Sequence, residues 1–391
     1  YYNDPAWVST KPQTPVAPTA DATYDFRLLD LKVLFENSTV KHFQSYAQLT
    51  LNKLFGSKVA SMGEGGNVYN SLILQGSFQD NGGAPVYSLG TVQDYVFLME
   101  NNIYNKIEIS SAQMSTLSAT EQETLVWFGL TGYLDFKILQ QSSANDGLEI
   151  DLLSFGSEDG KTLRKGLNFS NMGLSMDYPT LLPEEKTFAL TTQDIRFDIQ
   201  SSTIRKNSLY RSFSLSIEAL TTGNAKSSPA NQGVLNVITD LRLSGVDGSD
   251  WHGLKYRLNL GTPGELAGKI GLNADLLISW SDQGGKDDNY KINVGLHLPG
   301  TTGGASLISL QNVLKLSFGP IRLLYAKQSE DSEERNFMLM LTSIALKFLG
   351  LMKIPPNGNT NFYLFGNPES DGKASGLGWY AKYGKVGKDG K

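Results

Sequence analysis

"SFGPIRLLYAKQ", Ser317 to Gln328, joins two alternating apolar segments across a Gly319-Pro320 step and brings no catalytic constellation with it. Leu314, Leu316 and Phe318 share one parity; Ile321, Leu323 and Tyr325 share the other. Alternation of this kind is the signature of a half-buried β-strand, and Gly-Pro between two such runs reads as a turn or bend.

The same rhythm recurs along the chain. Leu29, Leu31, Val33 and Phe35 alternate, as do Ala47, Leu49 and Leu51; Ile195, Phe197 and Ile199; Phe213, Leu215 and Ile217; and Leu254, Tyr256, Leu258 and Leu260. Ile270, Leu272, Ala274, Leu276, Ile278 and Trp280 fall on one face, and Ile292, Val294, Leu296 and Leu298 make another such row. These segments imply an all-β protein with long antiparallel strands in a large sandwich or an open, groove-like sheet assembly, each strand burying one face. "VKHFQSYAQL" reads as strand rather than helix. One short helix is expected over "LSATEQETLVWFG", where Ser118-x-x-Glu121 has the form of a capping box, and at most one or two short helices in all.

Composition agrees. The 391 residues carry 40 Gly against 14 Pro, with 18 Phe and 17 Tyr, which suits many tight turns between apolar strands. Residues 1–25, with Pro5, Pro12, Pro15 and Pro18, read as an extended arm or linker. A change of composition marks residues 26–115 as an N-terminal β subdomain and 116–391 as the main β body. The chain begins at Tyr1 without a visible signal peptide, as a processed chain or a fragment would.

With 34 basic and 39 acidic residues, the net charge of −5 argues against general nucleic-acid binding. The basic, aromatic end "GWYAKYGKVGKDGK" has two readings, a solvated terminus or a contact for an acidic partner through Lys382, Lys385, Lys388 and Lys391. The absence of cysteine excludes disulfides, thiol catalysis and cysteine metal sites, and leaves the compartment open. No apolar run approaches the ~18 residues of a membrane-spanning helix.

The apparent motifs dissolve on inspection. "FGSEDGKT" ends like a phosphate loop, yet Gly156 and Gly160 are too close together and Glu158 and Asp159 would repel phosphate. A hairpin between "LEIDLLSFG" and "LNFSNMGLSM" explains its glycines. His42, His252 and His297 are scattered and lack a metal or triad pattern. Asp282, Asp287 and Asp288 could form a weak calcium loop but lack the EF-hand register, and both that loop and "SEDSEER" read as solvated tips. The Asn37 and Asn168 sequons are short enough to arise by chance. The stretch Arg335 to Gly366 is apolar on both parities, as in a strand between two layers. No residue is assigned to catalysis, cofactor or metal binding.

"FGPIRLLYA", "IALKFLGLMKIPPNGNTNFYLFG" and "GLGWYAKY" resemble segments of an uncharacterised domain family of very large, repetitive β-rich bacterial and fungal proteins, over roughly residues 310–383 and more loosely at "VLFENSTVKHFQSYAQLTLNKLFG". The resemblance implies a long β scaffold and brings no catalytic residues. The expected role is therefore a non-enzymatic structural or interaction module, part of a larger polypeptide, with a protein partner or self-assembly. The alternatives are a lipid carrier with an open β groove and a carbohydrate-binding protein using Trp251, Trp280 and Trp379.

Overall fold

The computed structural model describes residues 1–7, 15–16, 22–36, 39–55, 57–61, 70–80, 85–99, 103–138, 151–157, 166–182, 185–206, 208–212, 215–226, 235–239, 248–258, 274–282, 290–297, 307–310, 314–317, 321–327, 335–348, 352–354, 359–366 and 377–384. The described residues are almost entirely β-strand, with one helical turn. The chain divides into two compact units: unit 1 is Tyr1–Lys137 with Asp159–Thr203, and unit 2 is Ile138–Glu158 with Ile204–Lys391. The position expected to divide the chain, 115/116, falls inside one long strand of unit 1.

Unit 1 holds β1 (Tyr2–Asn3), β2 (Tyr24–Glu36), β3 (Thr39–Leu51), β4 (Lys53–Leu54), β5 (Ser57–Ser61), β6 (Ser71–Asp80) and β7 (Pro85–Thr91). It continues with β8 (Tyr95–Met99), β9 (Tyr104–Ala119), β10 (Glu123–Phe136), β11 (Leu167–Pro179), β12 (Thr187–Thr191) and β13 (Arg196–Asp198). One sheet has the order β1-β2-β3-β6-β7; the other runs β12-β11-β10-β9-β8-β5-β4, with β13 also on β11. They meet face to face: Phe26 of β2 lies 5.5 Å from Phe128 of β10, and Thr91 donates to the Ser110 carbonyl at 3.0 Å. Leu49, Leu74, Phe128 and Leu130 are fully buried between them. This is the sandwich that period-two patterning demands.

Two expectations need correction here. No helix forms over Leu117–Gly129: β9 and β10 make a hairpin, and the Thr120 hydroxyl accepts the amides of Gln122 and Glu123 at 3.3 and 3.1 Å. Ser and Thr near a strand end serve a turn as readily as a helix start. Nor does a hairpin join "LEIDLLSFG" to β11. Asp151–Ser157 is a buried irregular segment, β11 pairs with β10, β12 and β13, and residues 158–165 lie outside the described ones.

Unit 2 holds α1 (Leu209–Ser212), β14 (Leu215–Gly223), β15 (Leu235–Thr239), β16 (Trp251–Leu258), β17 (Ala274–Asp282), β18 (Tyr290–His297) and β19 (Leu307–Leu310). There follow β20 (Leu314–Ser317), β21 (Ile321–Lys327), β22 (Arg335–Phe348), β23 (Met352–Ile354), β24 (Asn359–Gly366) and β25 (Leu377–Gly384). They form one sheet, β14-β16-β17-β18-β15-β21-β22-β20-β19, with β23 and β24 also on β22 and β25 on β24.

Gly319 and Pro320 lie outside the described residues, but the strands on either side of them, β20 and β21, do not pair with each other. β20 and β21 both pair antiparallel to β22, Leu314 to Ser317 opposite Phe348 to Ala345 and Ile321 to Lys327 opposite Leu341 to Arg335. Opposite the step, Ser343 adopts φ +53°, donates its amide to Asn361 Oδ1 at 2.9 Å, and the β22–β24 register slips between Leu341 and Ile344. The switch of apolar parity in the sequence therefore coincides with a bulge. The expectation of one buried face per strand fails at β17, where Leu276, Leu277, Ile278, Ser279, Trp280 and Ser281 are all buried.

The two units use the same pieces. β2-β3-β6-β7 and β21-β22-β24-β25 are antiparallel meanders of identical strand order. Aligning Arg27 with Arg322 places Gln48 with Met340 and Ile73 with Tyr363 across successive strands. The same alignment matches Leu28 with Leu323, Leu49 with Leu341, Leu74 with Leu364, Gly76 with Gly366, Leu89 with Leu377 and Gly90 with Gly378. A second pair exists in β9-β10 and β14-β16. With Trp127 set on Trp251, Gly129 meets Gly253, Leu130 meets Leu254, and one extra residue bulges at the same place, Ser110 in β9 and Glu218 in β14. The chain carries one four-strand antiparallel order and one bulged antiparallel strand pair twice, the second pair, β14 and β16, being separated in sequence by β15.

Candidate functional site

The residues with most chemistry near one another lie at two places, one in each unit. In unit 1 the N-terminal arm crosses the outer face of the meander sheet. Tyr2 and Asn3 pair with Leu31 and Asp30, and the Asp4 amide donates to the Leu29 carbonyl at 2.7 Å. The Asp4 carboxylate meets the Arg27 guanidinium, and the Trp7 ring sits 5.0 Å from Tyr46. Farther along, the Gln48 amide clasps Val16, accepting its N–H and donating to its carbonyl, both at 2.8 Å. Gln48 also donates to Ser71 at 3.1 Å. The described residues of the arm are thus held by their own unit.

Beneath it the fit is imperfect. Asp30 is fully buried; Lys32 Nζ stands 3.5 Å from its Oδ2, yet neither carboxylate oxygen accepts an aligned hydrogen bond among the described residues. The buried Trp7 indole N–H finds no acceptor among the described residues. An unsatisfied buried polar group costs about 1–3 kcal/mol.

In unit 2, Asp151 and Arg205 form a buried bidentate ion pair, Nε to Oδ2 at 2.6 Å and Nη2 to Oδ1 at 3.0 Å. The fork-to-fork geometry is the strongest form such a pair takes. Backbone bonds fasten the segments that carry it: the Arg205 amide to the Ser154 carbonyl at 2.9 Å, the Leu209 amide to the Asp151 carbonyl at 3.0 Å, and the Tyr210 amide to Ser154 Oγ at 3.1 Å. Ser154 adopts φ +67° and takes its N–H to Asp151 Oδ1. Phe155, Tyr210 and Tyr256 line up beside the pair, with ring centroids 5.3 and 6.4 Å apart in sequence. The Tyr256 hydroxyl is buried without a partner among the described residues, and burial first, then the Asp151 charge, push its ionisation well above 10, against the opposing pull of Arg205. This arrangement is a clasp where the chain re-enters unit 2. Its carboxylate is held by a permanent cation and its tyrosine stays neutral, so it is suited to fastening and not to proton transfer.

The residues weighed in the sequence do not converge. His42 is exposed on β3, His252 is the second residue of β16, and His297 ends β18. Asp282 ends β17, while Asp287, Asp288 and all of "SEDSEER" but Arg335 lie outside the described residues. Among the described residues no group of three potential ligands could hold a metal ion. Trp251 and Trp280 are buried, so neither offers a ring face to a sugar. Lys382 is exposed on β25, and Lys385, Lys388 and Lys391 lie outside the described residues, as do Asn37 and the loop after Glu158. No helix among the described residues is long and apolar enough to cross a membrane. The clasp was beyond reach of the sequence because its partners stand 54 residues apart and belong to no motif.

Comparison with known protein families, curated proteins and solved structures finds no match for the chain.

Proposed function

We propose that this chain is a non-enzymatic β-rich structural and interaction module, one part of a larger repetitive scaffold. The observation that carries this reading is the reuse of one meander, in the same strand order and the same register, in both units. Building a chain by repeating one supersecondary unit favours extended surface over a single reactive centre. The resemblance to domains of very large β-rich proteins points the same way. The module acts through surface complementarity, with its sheets holding edges and hairpin tips for a neighbouring subunit. Leu34, Phe35 and Leu117 stand exposed at or near such tips.

A carrier with an open groove needs its apolar face free of protein. Ile278, central to the row that would line it, is fully buried, while Ile270 and Leu272 lie outside the described residues. Native mass spectrometry of gently purified chain tests the proposal. Concentration-dependent assembly without retained lipid is expected. A monomer carrying stoichiometric lipid would replace the scaffold reading with the carrier.

A further inference from the structure

The two bulged strand pairs are finished differently along one edge. In unit 1 the outer edge of β9 is filled by β8, antiparallel, with Phe97 opposite Ile107, Val96 opposite Glu108 and Tyr95 opposite Ile109. Just past that rung, at the bulged Ser110, the last strand of the meander arrives. β7 lies alongside β9, and the Thr91 hydroxyl donates to the Ser110 carbonyl at 3.0 Å. With Trp127 set on Trp251, the matching positions in unit 2 are Leu215, Ser216 and Ile217 of β14, followed by the bulged Glu218. No described strand pairs with β14 on that side. The counterpart of β7 is β25, and among the described strands it too is paired on one edge only, by β24. The two pieces that meet inside unit 1 thus stand apart in the unit 2 sheet, each with an edge that no described strand takes.

We propose that the β25 edge of one copy of this chain pairs antiparallel with the β14 edge of a second copy, joining their unit 2 sheets head to tail. The proposal rests on the interaction-module reading and names its partner. Three observations converge on it. First, unit 1 shows the arrangement: an antiparallel strand lies at the equivalent three residues, and the counterpart of β25 touches the equivalent bulge. Second, the directions fit. From β14 through β16, β17, β18, β15, β21, β22 and β24 to β25, every junction is antiparallel except β15 with β21. β14 and β25 therefore run in opposite directions, and a second copy in the same orientation brings its β14 antiparallel to β25, nine residues against eight. Third, the charges choose this pairing over two β25 strands together. Tyr380, Lys382 and Tyr383 are exposed on β25, and the sequence adds Lys385, Lys388 and Lys391, so two such strands repel. β14 carries Glu218 and no lysine or arginine. An edge of unpaired backbone groups is a ready template for strand addition, in which main-chain bonds supply the affinity. A head-to-tail contact also extends a row of copies, where a twofold contact stops at two.

The absence of native cysteine allows the contact to be mapped on the full chain. Ser216 and Thr222 on β14, and Tyr380 and Lys382 on β25, are exposed sites for single cysteines that disturb no core. Each single-cysteine chain is treated with a short bismaleimide, first alone and then mixed with a chain bearing cysteine on the other strand. Sedimentation velocity follows the assembly of the parent and of Ser216→Lys with Thr222→Lys, which sets two new cations against Lys382. We expect cross-linked dimers in the β14–β25 mixtures to exceed those of the single chains by about tenfold or more. The lysine pair should weaken assembly by about the same factor, and adding Lys382→Glu should recover it, which also shows that the variant folds. Assembly with cross-links as frequent in the single chains as in the mixtures, or a lysine pair that assembles like the parent, refutes these edges while leaving the interaction module standing. A lipid-free monomer at every concentration refutes the pairing of copies and leaves the module to a different partner. A lipid-bearing monomer refutes both.

Discussion

Replacing Arg205 with Met asks whether the clasp holds unit 2 together. The guanidinium and the Asp151 carboxylate are both nearly excluded from solvent, with side-chain exposures of 3% and 6%. Arg205→Met keeps most of the apolar stem but strips Asp151 of two charge-assisted bonds, leaving it the Ser154 amide. Removing one partner of a buried pair costs about 3–5 kcal/mol, whereas exchanging both for apolar groups is often close to neutral. Arg205→Met is therefore expected to destabilise unit 2 by about 3–5 kcal/mol, and Asp151→Leu with Arg205→Met to recover most of that loss. Tyr256→Phe should cost less than about 1 kcal/mol, because its hydroxyl has no partner to lose among the described residues. Urea unfolding gives the magnitudes. Hydrogen exchange over 151–157 and 204–212 locates them, since the amides of Arg205, Leu209 and Tyr210 lie in the clasp. If Arg205→Met and Tyr256→Phe cost the same, or if protection is lost in unit 1 and kept in these segments, the pair is not the fastening argued here.

Trp127 lies flat over the opposed pair Gly129 and Gly173, and a Cβ on Gly173 would stand 2.5 Å from both the indole nitrogen and Thr191 Cγ2. Gly173→Ala should lose about 1–3 kcal/mol by overpacking, largely relieved when Trp127→Ala is added, while Gly90→Ala, which meets open space, should change stability little; thermal melts of the set decide it. Burial pushes Tyr24 and Tyr95 up to about 12, and Tyr210 and Tyr256 are raised as well. Their neutral hydroxyls favour the folded state fully below pH 10, and from there to about pH 12 the unfolded chain ionises first. Each such tyrosine then removes about 1.4 kcal/mol per pH unit. Absorbance at 295 nm should show these tyrosines ionising only as near-UV dichroism collapses; independent titration near pH 10 with dichroism intact contradicts the burial. On β17, Leu276→Asp and Leu277→Asp should both destabilise severely, as each buries an unpaired carboxylate; a harmless Leu277→Asp in a urea titration restores the one-faced strand.

How far the sequence could be read depended on how local the cause was. Alternation is a property of neighbours, so "VKHFQSYAQL" declares itself a strand, and β3 is one. The capping-box reading at Ser118 failed because the same side chains satisfy a turn, and the decision was made by Leu125 to Phe128 finding partners on β9 and β11. β17 was misjudged through Asp275, Ser279 and Ser281: polar residues at alternate positions look solvent-facing, yet all three are buried here. Ser281 donates to the Asp250 carbonyl at 2.6 Å, and Asp275 meets Lys255 at 2.9 Å. Polar side chains with such partners can occupy a second buried face, and no periodicity reveals the partner.

The duplication was half visible. "FRLL" at Phe26 and "IRLL" at Ile321 stand in plain text, but the remaining matches are single residues at spacings that differ between the copies. Only the strand register aligns them. What the copies share and what they change follows from what each face meets. Leu28, Leu49, Leu74 and Leu89 recur as Leu323, Leu341, Leu364 and Leu377, and in unit 1 this parity faces the second sheet. On the opposite parity Arg27 and Gly90 recur as Arg322 and Gly378, while other positions change. Gln48, which holds the backbone of Val16 in the arm, is replaced by Met340, which is buried with no such strand end to clasp. Ile73 gives way to Tyr363, whose ring meets Tyr380 at 6.1 Å. The inner parity keeps these four leucines and changes their neighbours, with Phe26, Ala47 and Leu72 replaced by Ile321, Leu339 and Phe362. The outer face and its edge have different neighbours, a polar arm in one copy and a paired strand in the other, and Gln48 and Ile73 change with them.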